Sequence, residues 1–401
     1  MGLQWSKAYD QPQSGHRNGG DPPYANRLPV VTTNMPVSIL VTGGAGFIGS
    51  ALIRAALSGG YAAKVVNLDA LTYAADLRRL EEMASDPRYL FVKGDIRDGR
   101  TVRKLLAEHQ PEIVLHLAAE THVDRSLDDP ATFVDTNVLG TYRLLEEVRL
   151  YLTTLDSCAR GRFRFINVST DEVFGALGPF ELPFTSLSPY HPNSPYSATK
   201  AAADHLVRAF ACSYNLPAII SIAANNFGPW QFPEKLIPLT IAKALAGEPI
   251  PVYGNGEQVR DWTHVDDHVA ALLLIARYGR VGETYTVSGG AQRRNVDLVR
   301  SICTELDRIE PLPLGKRHEE LISFVTDRPG HDFRYALEFS RVRDEFKWQP
   351  HQEFELSLRE VVQWYVDHRE WWQGLMADRY PGDRLGLATT HSPTLAKTRD
   401  L

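Results

Sequence analysis

The sequence predicts an α/β protein, a doubly wound parallel sheet with a smaller C-terminal α/β lobe. Three observations predict it. Short apolar runs alternate with helical patterns from Val37 to about Ala224. The first of these runs opens into a glycine-rich loop followed by a helix. After Asn225 the rhythm loosens into segments rich in proline, glycine and aromatic residues. Alternation of short apolar strands with helices implies a parallel sheet covered on both faces.

Val37–Val41 reads as the first strand. Thr42-Gly43-Gly44-Ala45-Gly46-Phe47-Ile48-Gly49 follows, and a helical pattern covers Phe47–Ser58. Strand, glycine loop and helix form a Rossmann-type nucleotide-binding opening. Gly43 allows the tight turn, Gly46 lets backbone approach a pyrophosphate, and Gly49 lets the helix pack close to the sheet. The helix N-terminus offers free N–H groups and a positive dipole end to phosphates. The second strand, Ala63–Asp69, ends in an acid twenty residues after Gly49. An acid there accepts ribose hydroxyls and favours NAD over NADP.

Further strands are expected at Tyr89–Lys93, Ile113–Ala118, Phe163–Ser169 and Ala218–Ile222, with helices at Thr101–His109, Ala131–Leu155 and Ser197–Ser213. Asp69, Asp95, Ala118-Ala119 and Thr170-Asp171-Glu172 fall at the carboxyl ends of strands, where ligands bind in open α/β sheets. Beyond Asn225, Pro249–Thr263 reads as turn-rich, and Val296–Leu306 and Phe354–Trp372 as helices. The expected organisation is a polar leader over residues 1–36 and a nucleotide-binding domain over 37–224, with segments returning to it near 255–290. A substrate lobe over 225–373 and a loose tail over 374–401 complete it.

The composition excludes several classes. The chain has 401 residues, 43% of them hydrophobic, and a net charge of −6 with no basic cluster, so nucleic acid is not an expected partner. No apolar run reaches the roughly 18 residues of a membrane span. Cys158, Cys212 and Cys303 are far apart, which argues against a disulfide framework or a metal site and fits a reducing cytoplasm.

Two stretches carry the chemistry. Tyr196 and Lys200 stand four residues apart near the start of a helix, so they share a face. An ammonium near a phenol favours the phenolate, and the tyrosine can then take a hydroxyl proton, with Thr170 holding that hydroxyl beside it. Asp171 and Glu172 are adjacent acids at the end of an apolar strand. Like charges in a poorly hydrated site raise a pKa, so one carboxyl can serve as acid and its neighbour as base. Hydride transfer needs only Tyr196 and Lys200; the acid pair suggests removal of water as well.

From Val37 to Trp372 the chain resembles the nucleotide-sugar 4,6-dehydratases of the extended short-chain dehydrogenase/reductase superfamily. The likeness rests on the glycine loop, Asn67–Ala74, Gly94–Asp98, Ala118–Ser126, both catalytic stretches, Asn225–Pro229, Phe232–Pro238, Arg260-Asp261-Trp262 and Asp327–Asp332. It implies NAD held by Gly43, Gly46, Phe47, Ile48, Gly49, Asp69, Leu71 and Thr72, with Asp95 and Ile96 at the adenine. Ala118, Ala119, Tyr196, Lys200 and Asn226 complete that set. It implies a nucleotide-activated hexose, dTDP-glucose first, contacted by His122, Ser126, Thr170, Asn225 and Asn226. Glu234, Lys235, Leu236, Arg260, Asn295, Arg328 and His331 join them. Tyr196 would take the C4 hydroxyl proton, Glu172 the C5 proton, and Asp171 would protonate the departing C6 hydroxyl. A homodimer built on two long helices per subunit is also implied.

The chain departs from the family pattern at Phe174 and Phe227, where tyrosines are usual, and at Ala70, Ser186 and Ala223-Ala224. The two phenyl rings are expected to make the pocket less polar. The alternatives are a UDP-sugar as substrate, a sugar-nucleotide 4-epimerase, or a non-catalytic binder. The Asp171-Glu172 pair argues against the epimerase, and intact Tyr196, Lys200, Asp171 and Glu172 argue against the binder.

Overall fold

The structure, a computed structural model, describes residues 36–380 apart from 352, together with 382 and 385. The expected leader, except residue 36, and the expected tail beyond 380, except 382 and 385, lie outside the described residues.

Twelve strands follow in chain order among the described residues: β1 (Val37–Thr42), β2 (Ala62–Asp69), β3 (Tyr89–Lys93), β4 (Ile113–His116), β5 (Arg164–Thr170) and β6 (Ala218–Ala223) come first. Then come β7 (Asn225–Phe227), β8 (Ile250–Tyr253), β9 (Val259–His264), β10 (Thr284–Val287), β11 (Ala291–Arg294) and β12 (Ile322–Val325). Seven of them make one parallel sheet in the order β10-β6-β5-β4-β1-β2-β3. β4 and β6 are buried at every residue, as strands covered on both faces must be. The order reverses between β1 and β4, and the crevice above that switch point is where such a sheet binds ligands.

Helices Phe47–Ser58 and Val265–Tyr278 cover one face. Gly99–His109, Thr141–Leu152 and Pro195–Tyr214 cover the other. A third core gathers Phe227, Ile241, Trp262, Leu298, Leu358 and Trp371 beneath the smaller sheets β11-β9-β7 and β12-β8.

The structure corrects several expectations. The expected helix Ala131–Leu155 is broken: Pro130–Phe133 is followed by a wide π-type stretch, Val134–Gly140, before Thr141–Leu152. The irregular turn lets Asn137 face inward, where its amide accepts from Glu120 N at 2.9 Å and donates to Glu120 O at 3.0 Å. The turn-rich stretch Pro249–Thr263 contains β8 and most of β9. Helices Leu236–Leu245 and Val265–Tyr278 were not anticipated, because they are apolar nearly all round and show little period. Phe354–Trp372 divides at His368, and the second helix, Arg369–Arg379, runs past residue 374, where looseness was expected. Burial of Trp371, Trp372 and Leu375 holds that extension.

Candidate active site

The carboxyl ends of β1, β2, β4, β5 and β6 open into a cleft of about 400 Å³. One wall is largely backbone. Gly43 has φ +74°, and a Cβ there would lie 2.6 Å from Ala118 N. A Cβ on Gly49 would run into the Gly43 carbonyl oxygen. This cradle has room only for a bare backbone, the geometry a dinucleotide pyrophosphate requires. Asp69, buried at the end of β2, accepts Ala45 N at 2.9 Å and Leu71 N at 2.8 Å. Each oxygen keeps a lone pair for a ribose hydroxyl. Phe47, Ile48, Thr72, Asp95, Ile96, Ala118, Ala119 and Asn226 also line the cleft; Leu71 does not, and contributes its backbone to Asp69 instead. The residues therefore fit NAD.

Thr170, Asp171, Glu172, Tyr196 and Lys200 meet on the same cleft. β5 delivers the first three, and a short 3-10 turn, Asp171–Phe174, swings the acids inward. Tyr196 sits in the first turn of its helix. Ser194 caps that helix reciprocally with Ser197, and Pro195 fixes the entry. Thr170 Oγ1 donates to Asp171 Oδ1 at 3.3 Å, and Thr170 opposes the rise of the Tyr196 hydroxyl.

The two acids differ. Burial, and then the Glu172 carboxylate, hold Asp171 well above the usual range, and its buried Oδ2 has no partner. Burial also raises Glu172, but Arg328, Arg260 and Lys235 oppose that rise. The electrostatics make Asp171 the protonated member and Glu172 the better base. Tyr196 corrects an expectation: burial and then Glu172 push its hydroxyl up, and Lys200 is not among the leading influences. Lys200 Nζ instead donates to Val168 O at 2.8 Å, and burial lowers it.

Asn225, Asn226, Glu234 and Lys235 line the cleft; His122, Ser126, Leu236, Arg260, Asn295, Arg328 and His331 do not. Arg260 and Arg328 nevertheless act on Glu172 from beside it. Arg328 Nη1 donates to Asp124 at 3.0 Å, and Arg260 lies 4.3 Å above the Tyr335 ring. His331 is near these arginines and pairs with Asp327 at 2.6 Å. Ser126 is turned onto Val123 O, and His122 caps its own helix. Glu234 is already engaged by Tyr73 at 2.8 Å and Arg125 at 2.9 Å. Phe174 stacks on Phe184, and Phe227 packs against Trp262, His264 and Phe354. Neither ring lines the cleft; both are packed into cores.

Sequence reasoning missed Asp124, Arg125, Tyr73, Asp204 and His268. His268 is fully buried, its Nδ1 lies 2.9 Å from Asn226 Oδ1, and burial pushes it down to about 3. No spacing signal marks these residues, because their partners are distant in sequence.

Comparison with known proteins agrees with this geometry. The family model for GDP-mannose 4,6 dehydratase matches residues 40–361. A dTDP-glucose 4,6-dehydratase of Xanthomonas campestris is 53% identical over 347 residues, which are 86% of this chain and 98% of that protein. The crystal structure of dTDP-glucose 4,6-dehydratase from Bacillus anthracis in complex with NAD superposes with a TM-score of 0.75 at 41% identity, covering 84% of this chain and 99% of that one. DesIV, a dTDP-glucose 4,6-dehydratase from Streptomyces venezuelae with NAD and TYD bound, gives 0.77 at 39% identity, with the same coverage of 84% and 99%.

Proposed function

The chain belongs to the GDP-mannose 4,6 dehydratase family, and we propose that it converts dTDP-glucose to dTDP-4-keto-6-deoxyglucose and water in an NAD-dependent reaction. The observation that carries this reading is the buried acid pair beside Tyr196: Asp171 without a partner for Oδ2, Glu172 flanked by cations. An epimerase has no C5 proton to remove and no water to expel.

Bound in the cradle, NAD supplies a hydride acceptor for C4, a hydride donor for C6 and a positive charge that favours the phenolate. Tyr196 takes the C4 hydroxyl proton, with Thr170 aligning that hydroxyl. The resulting 4-ketone acidifies C5, and Glu172 removes its proton. Asp171 gives its proton to the C6 oxygen, which leaves as water. Glu172 then returns a proton to C5. Arg260 and Arg328 suit the diphosphate, which arginine binds bidentately. Arg328 already carries a carboxylate partner, Asp124, that fixes its direction.

The other parts of the reading follow from the same fold. The nucleotide side is residues 37–224 with β10 returning to the main sheet, and the sugar lobe is built on the third core. A homodimer is supported by the apolar residues Val134, Leu139, Leu150 and Tyr214, exposed on and beside the helices Thr141–Leu152 and Pro195–Tyr214. No described helix is long and apolar enough to cross a membrane. The free cysteines are consistent with a cytoplasmic enzyme.

The test is an assay of the purified protein against dTDP-glucose, UDP-glucose and UDP-N-acetylglucosamine, following the 4-keto product by its alkaline absorbance. dTDP-glucose should give the highest kcat/KM. A tenfold preference for a UDP-sugar would overturn the substrate and leave the reaction standing.

A further inference from the structure

One buried carboxylate has no part in that mechanism. Asp204 lies one helical turn beyond Lys200 on the same face of the Pro195–Tyr214 helix, with none of its surface exposed. Three donors hold it: Asn167 Nδ2 at 2.7 Å and Ser169 Oγ at 2.6 Å, both on β5, and the Tyr190 hydroxyl at 2.9 Å. Tyr190 accepts in turn from Arg208 Nη2 at 3.1 Å. So many donors favour the charged form of a carboxyl, against the burial that disfavours it. Lys200 is buried as well, and among the described residues its ammonium has a single hydrogen bond, to the Val168 carbonyl. A neutral carbonyl does not compensate a buried charge; a carboxylate one turn away opposes that cost.

We propose that Asp204 is a positioning residue, the buried countercharge that favours the charged form of Lys200 one helical turn from Tyr196. The inference rests on the proposed reaction and on the place of Lys200 in its cleft, one helical turn from Tyr196. Asp204 opposes the lowering of Lys200 by burial, and Lys200 opposes the raising of Asp204, so the influence is mutual. The surroundings offer no substitute. From the turn after β5, Asp171 and Glu172 act on Tyr196, as Asp204 does more weakly. From β4, His116 is held by Thr42 and Thr141 and pushed down to about 3, so it is neutral. Arg208 and Tyr190 act on Asp204 itself. Ser169 and Asn167 are uncharged. The polar cluster therefore presents one negative charge to Lys200 from behind, while the cleft lies in front.

The test combines a pH profile with a melting cycle. kcat/KM is measured against pH for the wild type, D204N and D204E, and melting temperatures for D204N, K200M and the double variant K200M/D204N. Asn keeps the shape and removes the charge. Lys200 should then lose its proton more readily, so the high-pH limb of D204N should move to lower pH by about one unit or more, about tenfold in the ionisation constant. D204E should restore the limb toward the wild-type position. In the melting cycle D204N should lose more than K200M/D204N, because the double variant no longer buries an uncompensated ammonium. If D204N fails to fold, recovery of folding in K200M/D204N supports the inference, and failure of both overturns it. An unmoved pH limb with additive melting losses also overturns it, and leaves Asp204 as an anchor for Asn167, Ser169 and Tyr190. An active D204N profile like the wild type's would sink only this inference. K200M with wild-type turnover would instead mean that Lys200 takes no part in the reaction, and the melting cycle is read independently of activity.

Discussion

The cofactor side and the sugar side of the cleft are built by different means. The cofactor side is local: glycine backbone, a helix N-terminus, and an acid whose partners Ala45 and Leu71 lie 24 and 2 residues away. The sugar side is assembled from side chains far apart in the chain. Tyr73 reaches Glu234 across 161 residues, Arg125 reaches it across 109, and Arg328 reaches Asp124 across 204. The first kind of site tolerates no added atoms; the second tolerates no lost charges. The acid–base corner lies between them, taking Thr170, Asp171 and Glu172 from one strand end and Tyr196 from one helix start.

That contrast can be broken or sharpened by substitution. The largest effect is expected at the shared corner. Tyr196→Phe should cut kcat by about 10²–10⁴-fold, the usual range for a general base, with the melting temperature nearly unchanged. A residual rate near wild type would remove Tyr196 from the chemistry. On the sugar side, Glu234→Ala leaves Arg125, whose side chain is 27% exposed, without its carboxylate. Breaking a buried pair costs about 3 kcal/mol, and chemical denaturation should show a loss of that order. A change under about 0.5 kcal/mol would mean the long-range pairing does not hold that side together.

On the cofactor side, Gly49→Ala adds one methyl against the Gly43 carbonyl. Overpacking of that kind costs about 1–3 kcal/mol, and calorimetry should show it as NAD binding weakened by roughly tenfold or more. Unchanged NAD affinity would contradict the cradle. The smallest effect is a stability change at the corner. The folded state holds Asp171 well above its usual value, mainly by burial. Below the unfolded pKa both states keep the proton. As pH rises, the unfolded chain releases it first and stability falls until the folded pKa is passed. Asp171→Asn removes this dependence, so its melting temperature relative to wild type should rise from pH 4 to pH 8. A constant difference would mean that Asp171 is not displaced.

The same contrast explains what the sequence could tell. The glycine loop, Asp69, the strand ends and the Tyr196–Lys200 spacing are short-range patterns, and the parallel sheet follows from the alternation of apolar runs. Asp204 and His268 carry no such signature, and Asp124 and Arg125 stand in the Ala118–Ser126 motif with nothing local to show their partners. Each matters through a partner that only the fold brings near, as Asp204 meets Asn167 and Ser169 across 37 and 35 residues. Phe174 and Phe227 failed for a related reason. Their neighbours in sequence line the cleft, but their own side chains turn into cores. The broken helix around Val134–Gly140 has a local trace in Asp135, Thr136, Asn137 and Gly140, all weak helix formers, but apolar Val134, Val138 and Leu139 carry the periodic pattern through it. The inward turn of Asn137 toward Glu120 is a tertiary demand.

The central claim is that Glu172 removes the C5 proton after Tyr196 has allowed oxidation at C4. Turnover of dTDP-glucose in deuterated water tests it most directly, with the product read by NMR and mass spectrometry for the wild type and Glu172→Gln. The wild-type product should carry solvent deuterium at C5, with the hydrogen from C4 found at C6, and Glu172→Gln should form no product at a comparable rate. A Glu172→Gln variant that turns over like the wild type, or one that still places solvent deuterium at C5 at the wild-type rate, would contradict the account.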